Sequence, residues 1–206
     1  MCEKINAFII NRNLHTTTKN TIDFLLKEKR VNIFILDHES TYEPCLNYYK
    51  NCGIEIIKLK NFGPYSPWSR ETKKLHNGNP FIVTDPDCNY EGVPENWLDK
   101  MIYVIENSSY FKVGFSIEIN NLPETNKKKE IIDWEKKYWE MYDEKFDGYI
   151  GLTDTTFCLY RKNSIFAYNS LRLNRPYTIK HVPWYLTELN KEWSYYKASS
   201  KFGHWR

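Results

Sequence analysis

The chain has 206 residues, with 29 Lys and Arg against 26 Asp and Glu, so its formal net charge is +3. At this length a single core buries roughly 70% of the surface that the unfolded chain exposes, and folding needs neither a disulfide framework nor a structural metal. The densest basic run, 127–129, is followed at once by acidic residues, so the sequence shows no basic patch of the kind that binds nucleic acid. The composition therefore predicts a folded domain without a nucleic-acid partner.

Two further features predict where the protein works. No stretch approaches the roughly 18 apolar residues of a membrane span, and polar residues stand where a signal sequence would be, which predicts no transmembrane segment. The five cysteines are odd in number and show no C-x-x-C spacing. Reduced thiols and a cytoplasmic location are therefore expected.

Four short runs of β-branched and aromatic residues predict strands in the N-terminal half. They are 5–10, 31–36, 54–59 and 80–84. Between them, one helix is predicted after Thr16, and another between Tyr42 and Tyr49, where apolar residues recur at i, i+3, i+4 and i+7. Short parallel strands need crossover helices, so this alternation predicts an α/β fold with a mostly parallel central sheet flanked by helices.

The C-terminal half continues the α/β pattern less regularly. It predicts a helix at about 95–106, a strand at 111–119, a helix with an apolar stripe from Ile131 to Met141, and one or two strands within 149–161. No linker, repeat or low-complexity stretch divides the chain. We therefore expect one domain whose C-terminal third is more irregular.

Aromatic residues make up 17% of the chain, which is its one compositional anomaly. Filling the core is the plainer interpretation. The alternative is a sugar-binding cleft, because aromatic faces stack on the C–H faces of pyranoses.

The most specific motif is Thr84-Asp85-Pro86-Asp87, directly after the apolar run 81–83. In an extended backbone, residues i and i+2 project to the same side, and Pro86 fixes the intervening φ, so the two carboxylates converge. A divalent cation such as Mn²⁺ or Mg²⁺ suits such a pair when substrate phosphates complete its shell. A turn with two solvated aspartates is the alternative.

Two more polar clusters end earlier strands of the predicted sheet. Asn11, Arg12 and Asn13 follow the first strand, and 37–40, which begins with Asp37, follows the second. In a doubly wound sheet these corners lie on the same edge as Asp85 and face one crevice. Each cluster alone is typical of turn and helix-capping chemistry.

Together these features resemble the nucleotide-sugar-binding half of a GT-A glycosyltransferase, particularly of the family 2 type. The resemblance covers about the first 90 residues and rests on the strand ends, on Asn61-Phe62-Gly63 and on the D-x-D after a strand. It departs at 64–79, where the family usually has a Gly- and Ala-rich helix. The chain also looks like the small glycosyltransferase domains of large algal DNA viruses, which would place it in the host cytoplasm.

The resemblance implies a single GT-A (Rossmann-like) domain over 1–206, with a nucleotide-sugar-binding half at about 1–90 and an acceptor-binding half at about 91–206. Its activity would be hexosyl transfer from a nucleoside-diphosphate sugar, by default a UDP-sugar, to the hydroxyl of a glycan acceptor. Asn11 and Arg12 would contact the donor, Asp37 would accept a hydrogen bond from the nucleobase, and Arg70 would add a second positive group.

The resemblance also implies a metal site. Asp85 would face the ribose or the metal, Asp87 would ligate the cation that bridges the diphosphate, and His181 would be a late additional ligand. The cation, Mn²⁺ or Mg²⁺, would stabilise the charge that develops on the departing nucleoside diphosphate. A packed, hydrogen-bonded role is the alternative for His181.

An inverting transferase needs a carboxylate base that deprotonates the acceptor hydroxyl. Asp154, an acidic residue within an apolar and β-branched run, is the candidate, and Glu118 is its competitor. Trp68, Trp184 and Tyr185 are candidates for the wall of the acceptor cleft.

Two other functions compete with glycosyl transfer. A haloacid-dehalogenase-like phosphoryl-transfer enzyme would use the first aspartate of the motif as a nucleophile, but its motif belongs to the first strand, and here three strands precede it. A non-catalytic carbohydrate-binding module would use the aromatics and keep the acidic pair for structure.

Overall fold

The computed structural model describes residues 4–153, 155–165 and 169–199. The strands in these ranges are β1 (Ile5–Asn11), β2 (Val31–His38), β3 (Glu55–Leu59), β4 (Phe81–Thr84), β5 (Cys88–Asn89), β6 (Lys112–Ile117), β7 (Tyr142–Asp143), β8 (Gly148–Ile150), β9 (Phe157–Tyr160) and β10 (Ser170–His181). The α-helices are α1 (Thr16–Leu25), α2 (Glu43–Asn51), α3 (Arg70–His76), α4 (Trp97–Asn107), α5 (Lys128–Glu135) and α6 (Lys191–Ser199). Short 3₁₀ helices are Gly63–Trp68, Lys136–Trp139 and Val182–Tyr185. Within those ranges, none of the helices combines the length and the apolar character needed to cross a membrane.

The strands form one sheet in the order β3-β2-β1-β4-β9-β6-β10-β8-β7, and β5 pairs with β10 beside this path. All neighbours from β3 to β4 are parallel, and so are β6 and β10. β9 runs antiparallel between β4 and β6, and β8 runs antiparallel to β10. The predicted α/β fold with a mostly parallel central sheet is confirmed, with antiparallel pairings at β9 and beyond β10.

The first strands contain continuous apolar runs, such as 7–10 in β1 and 33–36 in β2, because helices cover both faces of the sheet. Ala7 and Ile9 belong to the larger core cluster, whereas Phe8 between them belongs to a second cluster. Successive side chains of a strand point to opposite faces, so the two clusters lie on opposite sides of the sheet. Aromatic rings fill much of both, as in the stack of Phe24 on Tyr90 at 4.1 Å between centroids.

Two expectations about the C-terminal half are wrong. The C-terminal third contains β10, a strand of 12 residues, which was not predicted because Pro176 and several charged residues interrupt its apolar pattern. The helix expected to reach Met141 ends at Glu135 and continues only as a 3₁₀ turn. Met141 is 62% exposed, so its place in the apolar stripe was coincidental.

Gly114 allows β9 to lie close to β6. It pairs with Cys158 of β9, and a Cβ at position 114 would lie 2.5 Å from the carbonyl oxygen of Phe157. The obstacle is backbone, which cannot rotate away as a side chain does. Since β9 is the strand between β4 and β6, this close approach holds the two parts of the sheet together.

We expect Gly114→Ala to lower the free energy of unfolding by about 1–3 kcal/mol, because the added methyl group must displace the β9 backbone. Urea denaturation measures this change. Lys58→Ala, on the exposed face of β3, is the control and should stay within about 0.5 kcal/mol of wild type. An unchanged midpoint for Gly114→Ala would contradict the close approach of β9 to β6.

Candidate functional site

A cavity of about 770 Å³ lies at the carboxyl ends of β1, β2 and β4. The strand ends contribute Arg12, His38, Asp85 and Asp87, and His181 comes from the end of β10. Residues from α5, α6 and the segments beside them line the rest. The predicted convergence of several strand ends on one crevice is therefore present in the structure.

Arg12 and Asn13, the two residues after β1, have different roles. Arg12 lines the cavity, and its guanidinium donates to the carbonyl oxygens of His38 (3.1 Å) and Ser199 (3.2 Å). Its Nε is buried and has no hydrogen-bond partner in the described part of the chain. Asn13 has a positive φ of 60°, and its side-chain oxygen accepts from the backbone N–H groups of Thr41 (2.6 Å) and Tyr42 (2.9 Å). Asn13 thus shapes the corner, while Arg12 presents charge to the cavity.

Asp37 lies behind the cavity in a buried polar chain. The amide of Asn11 donates to Tyr49 Oη (2.7 Å), and Tyr49 Oη donates to Asp37 Oδ1 (3.0 Å). The Ser40 N–H lies 3.4 Å from Asp37 Oδ2, and the residue is only 4% exposed. This geometry gives Asp37 an internal role, and it does not bring its carboxylate to the cavity wall as the predicted nucleobase contact requires.

His38, the next residue, does line the cavity. Its Nε2 bonds to Ser66 Oγ, and that hydroxyl donates to the carbonyl oxygen of Gly63 (3.0 Å), so we assign the ring proton to Nε2. Burial lowers the pKa of His38 to about 4. The ring is therefore neutral at pH 7.

The two carboxylates of the D-x-D motif have different surroundings. Thr155 Oγ1 lies 3.0 Å from both carboxylate oxygens of Asp85, which ties the end of β4 to the segment before β9. Asp87 Oδ2 lies 3.4 Å from His181 Nε2, and Asp87 Oδ1 is buried without a hydrogen-bond partner among the described residues. The structure thus brings together two of the three predicted metal ligands, Asp87 and His181.

These two residues fit a divalent cation. A buried carboxylate oxygen without a donor is costly unless a ligand satisfies it, and imidazole coordinates Mn²⁺ beside carboxylates. No group of three or more His, Cys, Asp and Glu residues in the described ranges is arranged to hold a metal. Substrate oxygens and water would therefore complete the coordination shell.

The C-terminal helix α6 is attached to the corner between β1 and α1. Glu192 is 4% exposed, and its Oε1 accepts hydrogen bonds from the N–H groups of His15 and Thr16 (2.9 Å for Thr16) at the start of α1. His15 Nδ1 lies 2.7 Å from the same oxygen. Sequence analysis missed α6 because its apolar residues have no helical stripe that would signal a packed face.

The cavity lining also contains a buried ion pair that sequence analysis missed. Arg172 of β10 is 5% exposed and pairs with Glu135 of α5, which is 1% exposed. The guanidinium also donates from Nε to the carbonyl oxygen of Leu152 (2.9 Å) and lies 4.3 Å from the centre of the Tyr138 ring. The only sequence signal was a charge between two leucines, Leu171 and Leu173.

Several predicted site residues lie away from the cavity. Arg70 is exposed at the first position of α3. Trp68 packs against Phe81 and Tyr160 in the core, so the cleft-wall role is wrong for it. Glu118 forms a bidentate ion pair with Arg175.

The remaining candidates divide between the cavity and its surroundings. Tyr185 donates to Asn121 Oδ1 (2.6 Å) and does not line the cavity, whereas Trp184 does and contacts the His181 ring. The hydrogen bonds from Arg175 lower the pKa of Glu118, so Glu118 is poorly suited to act as a base. Asp154 lies outside the described residues.

No protein-family model matches the chain, and no curated protein matches it either. Among solved structures, the chain is similar to a 4-diphosphocytidyl-2C-methyl-D-erythritol synthase from Anaerococcus prevotii, at 10% identity and a TM-score of 0.38. The match covers 82% of this chain and 68% of that one. At this identity and TM-score, the similarity carries no conclusion about fold or function.

The buried, neutral His38 predicts a pH-dependent stability. Its pKa is about 4 when folded and about 6.5 when unfolded, so the unfolded state binds more protons between these values. The stabilisation is complete above pH 6.5 and is lost as pH falls towards 4, by about 3 kcal/mol. We expect urea denaturation between pH 7 and pH 4 to show this loss in wild type and a smaller loss in His38→Gln. Equal losses would contradict a buried neutral ring.

Glu192→Ala removes the acceptor at the start of α1. We expect the His15 and Thr16 amides to exchange hydrogen faster and the free energy of unfolding to fall by about 1–2 kcal/mol, the usual cost of losing a helix cap. Hydrogen exchange followed by NMR measures the first effect and urea denaturation the second. Glu188→Ala, at an exposed position in the loop before α6, is the matched control and should change neither.

Proposed function

We propose that this protein is a metal-dependent glycosyltransferase that moves a sugar from a nucleoside-diphosphate sugar to a glycan hydroxyl. The observation that carries the proposal is the meeting of Arg12, Asp87 and His181 in one cavity at the carboxyl edge of the sheet. A cation held by Asp87 and His181 and the guanidinium of Arg12 supply the positive charge that a diphosphate requires. The volume of about 770 Å³ also leaves room for a second substrate.

The order of the strands favours a donor that lies across the sheet edge. β1 separates β2 from β4, and neighbouring strands lie about 4.8 Å apart, so the ends of β2 and β4 are separated by roughly 10 Å. The base would lie near His38 and Asn61, and the diphosphate near Arg12 and the acids after β4. His38 replaces Asp37 as the proposed residue beside the base, because His38 lines the cavity.

The chain's own groups have separate tasks in the proposed reaction. Arg12 binds and orients the diphosphate, and Thr155 orients the carboxylate of Asp85 towards the donor. When bound, the cation supplies charge stabilisation for the departing nucleoside diphosphate. Asp154 stays the proposed base that removes the acceptor proton, which makes the reaction inverting. Residues from both proposed parts, about 1–90 for the donor and about 91–206 for the acceptor, line this cavity.

The donor site is tested by melting temperature in a screen of nucleoside diphosphates with and without Mn²⁺. A ligand at about 100 times its Kd adds about 2.7 kcal/mol, which raises the Tm of a chain of this length by about 5–10 °C. We expect one nucleotide to give this shift only with Mn²⁺, and Asp87→Asn to abolish it because the carboxylate that holds the cation is gone. Asp23→Asn, an exposed aspartate on α1, should respond as wild type does.

Hydrolysis of the matching sugar nucleotide separates an enzyme from a binding module. We expect slow release of free sugar that needs Mn²⁺ and is lost in Asp87→Asn. In the melting-temperature screen, shifts of equal size in wild type and in Asp87→Asn would contradict the proposed metal role of Asp87. A metal-dependent shift without any hydrolysis or transfer would favour the binding module.

A further inference from the structure

A second part of the cavity wall, formed by α5, the turn after it and β10, has the composition of a binding site of its own. Trp134, Glu135 and Tyr138 come from α5 and the turn after it, and Arg172 comes from β10. A charged pair and two aromatic side chains thus line the same cavity.

Arg172 keeps one edge of its guanidinium available. Nη1 pairs with Glu135 and Nε donates to the Leu152 carbonyl oxygen, whereas no acceptor among the described residues bonds to Nη2. Arg172 as a whole is 5% exposed and lines the cavity. An N–H group that faces the cavity without a protein acceptor bonds to water or to a ligand, so a ligand oxygen at this position replaces water without leaving the donor unpaired.

The charges of Arg172 and Glu135 decide whether an anionic or a neutral ligand oxygen fits beside them. Glu135 is 1% exposed and pairs with Arg172, whose charge it neutralises. An anionic ligand would be attracted by the guanidinium and repelled by the carboxylate at similar range, and it would still lose its hydration. A neutral hydroxyl accepts from Nη2 without that repulsion.

The aromatic side chains point to the same ligand chemistry. Trp134 is 53% exposed although it lines the cavity, so its ring is accessible from solvent. An exposed indole beside a buried polar pair offers an apolar face for C–H groups together with hydrogen bonds for hydroxyls. Lys137 Nζ lies over one face of that ring, 3.9 Å from its centre, so the opposite face is the one available to C–H groups.

We infer that Arg172, Glu135 and Trp134 form the acceptor subsite and that it takes an uncharged sugar. The assignment as acceptor subsite rests on the proposed glycosyl transfer, whereas sugar binding itself does not. Two lysines, Lys127 and Lys197, also line the cavity and would attract an anionic sugar. The test must therefore compare neutral sugars with anionic ones.

Saturation-transfer NMR with matched glycosides tests the inference, with and without saturating nucleoside diphosphate and Mn²⁺. The probes are methyl β-glucoside and methyl β-galactoside against methyl β-glucuronide and methyl β-galacturonide, which have the same rings with a carboxylate at C6. We expect at least one neutral glycoside to bind at least tenfold more tightly than its acidic counterpart. Preference for the acidic glycosides would overturn the inference, as would absence of binding by all four probes under both conditions.

Two variants test the residues. Arg172→Met combined with Glu135→Leu replaces the buried pair by apolar side chains, which buried pairs often tolerate, and should weaken neutral-glycoside binding at least tenfold. Trp134→Ala changes an exposed side chain and should weaken it as well, so the test does not depend on the double variant folding. Arg175→Met is the matched control: Arg175 is also in β10 and lies 4.2 Å from the Trp139 ring, but it pairs with Glu118 outside the cavity.

The outcomes distinguish this inference from the proposed function. Neutral glycosides that bind through Arg172 without any nucleotide-dependent melting shift would support the sugar site and overturn the transferase. A nucleotide shift that needs Asp87, with glycoside binding unchanged in both the double variant and Trp134→Ala, would support the donor site and overturn the subsite.

Discussion

The antiparallel strand β9 is the constraint on which the cavity depends. It lies between β4, which ends in the D-x-D motif, and β6, which pairs with β10. Its register, with Cys158 opposite both Val83 and Gly114, brings the segment before it to the carboxyl end of β4. Thr155 in that segment then bonds to Asp85. Without β9, the strand ends that carry the acids and the strand that carries Arg172 would belong to separate sheets.

β1, β2 and β4 were predictable from sequence because they are largely buried on both faces, and continuous apolar runs such as 81–83 are the signal for such strands. Their polar ends were predictable for the same reason, since a change from apolar to polar residues marks the edge of the sheet. β3 is partly exposed and was predictable from its β-branched residues. β10 was not, because only five of its 12 residues are buried and its apolar pattern stops at Asn174. Arg172 shows the limit most clearly: its burial depends on Glu135, a residue 37 positions away.

Position in the sequence also did not determine which polar residue of a corner faces the cavity. Asp37 and His38 are neighbours at the end of β2, and a strand turns successive side chains to opposite sides. The buried hydroxyl of Tyr49 binds Asp37 on one side, and Ser66 holds His38 on the other. Burial raises the pKa of Tyr49 far above its ordinary value, so it stays a neutral donor to that carboxylate. The choice between the two residues is made by α2 and by the 3₁₀ helix at Gly63–Trp68, neither of which the motif itself contains.

Two parts of the cavity wall treat charge in opposite ways. At the carboxyl edge, a buried oxygen of Asp87 has no donor within the described ranges, and Arg12 keeps a buried N–H without a partner, so both groups are left to be satisfied by a bound species. At the wall formed by α5 and β10, Glu135 already neutralises Arg172, and one N–H edge remains for a hydroxyl. In the proposed reaction, the first group of side chains would hold the diphosphate and the second a neutral sugar. An anionic acceptor near the donor would raise the energy of the charge that develops on the leaving group, which this division of charge avoids.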